Sequence, residues 1–95
     1  MKNLTFEASL PVTILREGKQ FVAYTPALDL STVGNSLEQS QQRLMEAVQL
    51  FFEESHEMGT LEKVLTDLGW TRSAKHLTPP VVVGQGLQLF KVPAF

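Results

Sequence analysis

The side chains able to do chemistry are few: two histidines, His56 and His76, ten acidic residues and no cysteine. Glu53 and His56 stand in an E-x-x-H spacing, which puts a carboxylate and an imidazole on one helix face as in di-iron bundles. Such bundles use two of these motifs and two further carboxylates. No second copy occurs here, so the pair reads as a solvated helix end and no metal or other cofactor is expected. Absence of cysteine removes thiolate nucleophiles, disulfides and cysteine zinc sites. No serine lies in a G-x-S-x-G context, and Gly84-Gln85-Gly86 lacks the third glycine and following helix of a nucleotide-binding turn. With no nucleophile–base pair or metal-ligand set to assemble, an enzyme is not expected.

Two clusters point to binding instead. Glu46, Glu53, Glu54 and Glu57 crowd toward the end of one helical segment, where the helix dipole disfavours negative charge. They read either as a solvated face or as a docking surface for a basic protein, since complementary charge speeds encounter and sets register. Trp70, Arg72, Lys75 and His76 form a small aromatic-basic group. One aromatic and two cations are few for an RNA strand, and Trp70 is expected to pack over the second helix, with weak RNA binding left open.

The elements that must position these groups follow from periodicity. Leu4, Phe6, Ala8, Leu10, Val12 and Ile14 share one parity, the signature of a long half-buried strand. Pro11 cannot donate to a ladder, which places that strand at an edge or breaks it with a bulge. Arg16 to Lys19 should close a hairpin, with Gly18 free to take positive φ. Gln20 to Thr25 is the second strand, ended by Pro26, and Leu28 to Val33 the third. Gly34-Asn35 turns the chain. Ser36 caps a helix with Gln39 three residues on, a capping-box pattern. Leu37, Leu44, Val48, Phe51 and Met58 form its apolar stripe, interrupted at Gln41. In its second half the apolar arc widens to Met45, Ala47, Leu50 and Phe52, so a second surface should cover it. Gly59 ends this helix, and Thr60 caps a shorter one over 60–68. Residues 71–80 read as a polar connection. The apolar runs Val81–Val83 and Leu87–Val92 read as a last strand or as an arm that pairs with a neighbouring chain. Leu50, Phe52, Leu87 and Leu89 are the candidate oligomer interface.

The expected fold is therefore α+β, β-β-β-α-α-β: a three-stranded antiparallel sheet, a packed helix, a short helix and a C-terminal strand. It forms one domain over 1–95, with its core in 4–58 and the strand or arm in 81–92. Apolar residues make up 43% of the chain and the net charge is −2, which suits a globular domain without a broad basic face for nucleic acid. The first residues lack a signal-peptide pattern and no window is apolar enough to span a bilayer. A cytoplasmic protein is expected.

Phe21-Val22-Ala23-Tyr24-Thr25-Pro26, Leu28-Asp29-Leu30, Gly34 to Glu38 and Glu46 to Glu54, in this order and spacing, resemble the HicB-like antitoxin family over residues 4–56. The family's Pro-Gly after the second of these elements, Leu28-Asp29-Leu30, is replaced by Ser31-Thr32, and its early Glu-Ala pair by Gln39-Ser40. The resemblance implies a partial RNase H-like fold, a homo-oligomer, and steric neutralisation of a small basic mRNA-cleaving toxin of the HicA type. Residues 57–95 do not look like the helix-turn-helix or ribbon-helix-helix module that many such antitoxins carry, so DNA binding by this chain is not implied. An orphan homo-oligomeric structural or adaptor domain of the same fold, without a toxin, is the alternative.

Overall fold

β-Branched and aromatic residues make Gln20–Thr25 the central strand of the protein, β2. In a computed structural model, which describes residues 7–74 and 76–94, it is flanked by β1 (Thr13–Glu17) and β3 (Leu30–Gly34) in a fully antiparallel sheet of order β1-β2-β3. Glu17 pairs with Gln20, so the first hairpin closes through Gly18-Lys19 alone, with Gly18 at φ +62°. The second hairpin runs through Pro26–Asp29. Asp29 adopts φ +51° and its carboxylate accepts a hydrogen bond from the Tyr24 hydroxyl at 3.0 Å. Asp is among the few residues that tolerate this conformation.

The pairing register puts Ile14, Ala23 and Thr32 in one row, and Arg16, Phe21 and Gly34 in the next. Directly paired residues share a sheet face, and this face lies under helix α1 (Leu37–Glu57). The approach is close. Thr32 Oγ1 donates to the Ser40 carbonyl at 2.9 Å, and the Ser40 hydroxyl donates to Leu37 O. Ser36 is the N-cap, accepting from Gln39 N–H at 3.0 Å, while Gln39 Oε1 accepts from Asn35 N–H at 2.7 Å. The capping box thus closes one residue earlier than its usual form. The buried positions of α1 are Ser40, Leu44 and Ser55, with Val48, Phe51 and Phe52 half-buried. The ends of the expected apolar stripe, Leu37 and Met58, are exposed instead.

Gly59, at φ +73°, leads from α1 into α2 (Leu61–Asp67). Thr60 does not cap α2 with its side chain, contrary to expectation; its hydroxyl donates back to Ser55 O. Trp70 then turns inward. It is 2% exposed, its indole N–H donates to Ala27 O at 2.8 Å, and its ring meets Phe52 edge-on. Ala27, Leu28, Leu65, Trp70 and Leu77 form the core cluster. Leu77 reaches it from a small hairpin, β4 (Thr71–Ser73) paired with β5 (His76–Thr78), in the stretch expected to be a polar connection.

The α+β class and the element order stand, but two strands fall elsewhere than expected. The first begins at Thr13, and residues 7–12 are not paired; Leu4 and Phe6 lie outside the described residues. Pro11 explains the late start, since the ladder cannot form through it. The last strand is the β4–β5 hairpin, whereas residues 79–94 carry no strand and residues 80–94 are exposed. Two consecutive prolines and two glycines with nothing around them oppose regular pairing there. The radius of gyration, 16.3 Å, exceeds the roughly 12 Å of a compact chain of this length, consistent with a segment that projects.

Candidate functional site

Helix α1 presents its polar side as an ordered stripe. Gln42, Glu46, Gln49, Glu53 and Glu57 recur at spacings of three and four, which places them along one face. All are exposed, as is Glu54 beside them. Gln42 donates its side-chain amide to Glu46 and Gln49 donates to Glu53, each at 3.0 Å. These bonds orient two carboxylates without neutralising them. The ion pairs of the described residues, Lys63–Asp67 and Arg72–Glu62, lie on α2 and β4, so none of the four glutamates singled out in the sequence has a cation partner among the described residues. The structure therefore brings Glu46, Glu53 and Glu57 onto one uncompensated acidic face about 17 Å long, with Glu54 at its side.

His56 is exposed in the last turn of α1 and lines a shallow depression with Gly59, Leu61, Glu62 and Leu77. Among the described residues, no three His, Asp or Glu side chains lie close enough to hold a metal ion. The aromatic-basic group does not assemble. Trp70 is buried and its indole N–H is used by Ala27 O, so no face is left for stacking a base. Arg72 is paired with Glu62, and the Ser73 hydroxyl contacts the His76 ring at 3.2 Å. Lys75 lies outside the described residues.

No family model, curated protein or solved structure matches the chain. Its surfaces must be read from its own chemistry.

One apolar surface adjoins the acidic face and a second lies on the opposite side of the sheet. The first is a groove of about 360 Å³ between α1 and the segment before β1, lined by Ala8, Leu10, Val12, Thr25, Leu44, Met45, Val48, Gln49 and Phe52. Thr25 is fully buried there and its hydroxyl has no hydrogen-bond partner. Gln49 belongs both to the groove wall and to the acidic stripe. The second is the outer sheet face, where Leu15, Val22 and Val33 form one cross-strand row and Leu15 and Val33 are exposed. Leu15, the β1 member of this row, has the odd parity, opposite to the even series that signals the buried face, so periodicity alone does not point to it. The four candidate interface residues separate. Phe52 is half-buried on the groove floor, Leu50 is exposed on the acidic side of α1, and Leu87 and Leu89 are fully exposed in the C-terminal segment. No helix of the described residues is long and apolar enough to cross a membrane.

Proposed function

We propose that this chain is a non-enzymatic, HicB-like binding protein that works in the cytoplasm as a homo-oligomer and neutralises a small basic mRNA-cleaving toxin of the HicA type. The observation that carries the reading is the uncompensated carboxylate face of α1, displayed on a helix that backs a three-stranded antiparallel sheet. A basic ribonuclease must expose cations to hold RNA phosphates, and the same cations are drawn to an acidic face. Inhibition is then steric: the toxin's RNA-contacting surface is covered while the domain itself does no chemistry.

The test is titration of the purified chain into an RNA-cleavage assay of a small basic nuclease encoded beside it. Stoichiometric inhibition that weakens with added salt is expected. Failure to inhibit, together with no complex by calorimetry at low salt, would refute the proposal. The second reading, an orphan oligomeric structural domain, is favoured by the exposed apolar C-terminal segment. Self-association without any nuclease partner would favour it.

A further inference from the structure

Val81, Val83, Leu87, Leu89, Phe90 and Val92 are each at least three-quarters or so exposed in one segment. At roughly 60–120 Å² of apolar side chain apiece they amount to about 400–700 Å², approaching the ~800 Å² that each partner buries in a standard protein–protein interface. A soluble chain rarely leaves so large an apolar area uncovered. The segment leaves the domain at Pro80, packed beside Gly69, and does not lie over the chain's own groove.

The groove offers matching chemistry. Its volume of about 360 Å³ is more than twice that of a cavity that takes one benzene, enough for two large aliphatic side chains. In an extended segment, residues of one parity point to one side. Leu87, Leu89 and Lys91 share a parity, and Lys91 is the only charged side chain of residues 79–95. When Leu87 and Leu89 enter the groove, the ammonium group follows on the same side about 7 Å further on. Gln49 is part of the groove wall and donates its side-chain amide to the Glu53 carboxylate. We infer that residues 81–92 form an arm that seats in the α1 groove of a second copy, Leu87 and Leu89 filling the groove and Lys91 meeting Glu53 at its rim. Reciprocal exchange of two arms closes a twofold dimer. The inference rests on the homo-oligomer part of the proposed function and names its interface.

Because the chain has no cysteine, engineered thiols report this contact cleanly. Chains carrying Met45→Cys and chains carrying Leu89→Cys, mixed and oxidised, should give a disulfide-linked heterodimer. The unmodified chain should scatter light as a dimer at micromolar concentration. Leu87→Asp with Leu89→Asp should weaken that dimer by on the order of 100-fold or more with unchanged circular dichroism. A strictly monomeric unmodified chain would overturn the inference. So would linkage of Leu89→Cys to Leu15→Cys on the outer sheet face in place of Met45→Cys, or a Met45–Leu89 disulfide formed only within one chain of the double variant. Nuclease inhibition is read separately, so loss of the arm contact and loss of toxin neutralisation are distinguishable outcomes.

Discussion

Replacing Gly34 by alanine is expected to push helix α1 off the sheet. A β-carbon at this position would lie 2.5 Å from Ser40 N, 2.9 Å from Ser40 Cα and 3.0 Å from Gln39 C, all backbone atoms with no rotamer to yield. Carbon atoms are comfortable at about 3.5 Å and beyond, so the first turn of α1 has to retreat by about 1 Å. Overpacking of this kind costs about 1–3 kcal/mol. The retreat also strains the Thr32–Ser40 hydrogen bond of 2.9 Å, worth about 1 kcal/mol. The expected loss is about 3 kcal/mol, a large part of the roughly 5–14 kcal/mol available to a domain of this length.

Gly18 supplies the control. Its φ is +62° and nothing approaches an added β-carbon, so Gly18→Ala should cost only the left-handed strain of about 1 kcal/mol. Urea unfolding followed by the fluorescence of the single, buried Trp70 measures both variants. If Gly34→Ala lies within about 0.5 kcal/mol of the unmodified chain, or costs less than Gly18→Ala, the close-approach argument is wrong.

Thr25→Val should stabilise the protein by about 1 kcal/mol, because it removes a buried hydroxyl that has no partner and keeps the branched shape; a lower urea midpoint would contradict this. Tyr24 has its phenol pKa raised above 10.0 by the hydrogen bond to the Asp29 carboxylate, then by desolvation and by the carboxylate's charge. That contribution is complete below the unfolded value and is lost as pH rises through the folded one. Urea midpoints above ~pH 10 should therefore fall more steeply for the unmodified chain than for Tyr24→Phe, and parallel slopes would refute the pairing. Glu53→Gln with Glu57→Gln should stabilise α1 by about 1 kcal/mol at low salt by relieving the dipole, while weakening capture of a basic partner. A double variant with unchanged partner affinity would detach the acidic face from function.

Local signals carried most of the fold. The Ser36–Gln39 cap, the glycines at 18 and 59, and the span of β2 are set by residues a few positions apart, and these were legible. Parity was legible too, but not what it means for pairing. Ala8, Leu10 and Val12 do line one side, against Leu44, Met45 and Val48, yet the backbone there is unpaired because Pro11 interrupts the ladder. Long-range facts were hidden. Trp70 was expected to fold inward, but its partner Ala27 O is 43 positions away, and no local pattern announces it. Gly34 read as a turn residue; its use is to let Ser40 approach, which depends on how α1 docks. The three-residue strands of β4 and β5 were too short to register, and Leu77 was missed as core with them. Of the candidate surface, the glutamates were visible as composition and spacing. The groove was not, because it is made by segments 8–12 and 44–52 meeting across the sheet edge.

Helix α1 thus serves three neighbours from one cylinder: the sheet through Ser40, Leu44 and Phe51, the groove through Met45, Val48 and Phe52, and solvent through the glutamates. The last two meet at Gln49 and Glu53. If the arm's Lys91 engages Glu53 in the dimer, one carboxylate of the acidic face is already neutralised when a basic partner arrives. Binding of the partner and self-association then oppose each other, and by linkage each weakens the other by the same factor. Since a single exposed ion pair is worth about 0.2–1 kcal/mol, the electrostatic part of that factor is small, between about 1.4- and 5-fold. It should vanish in Lys91→Gln, which keeps the apolar contacts of Leu87 and Leu89. Dimer dissociation measured with and without saturating partner, in the unmodified and Lys91→Gln chains, separates the terms. A loss of coupling far beyond 5-fold on removing Lys91 would mean that the arm physically covers the partner's footprint through that residue. No coupling in the unmodified chain would place the two surfaces on independent sides of the helix.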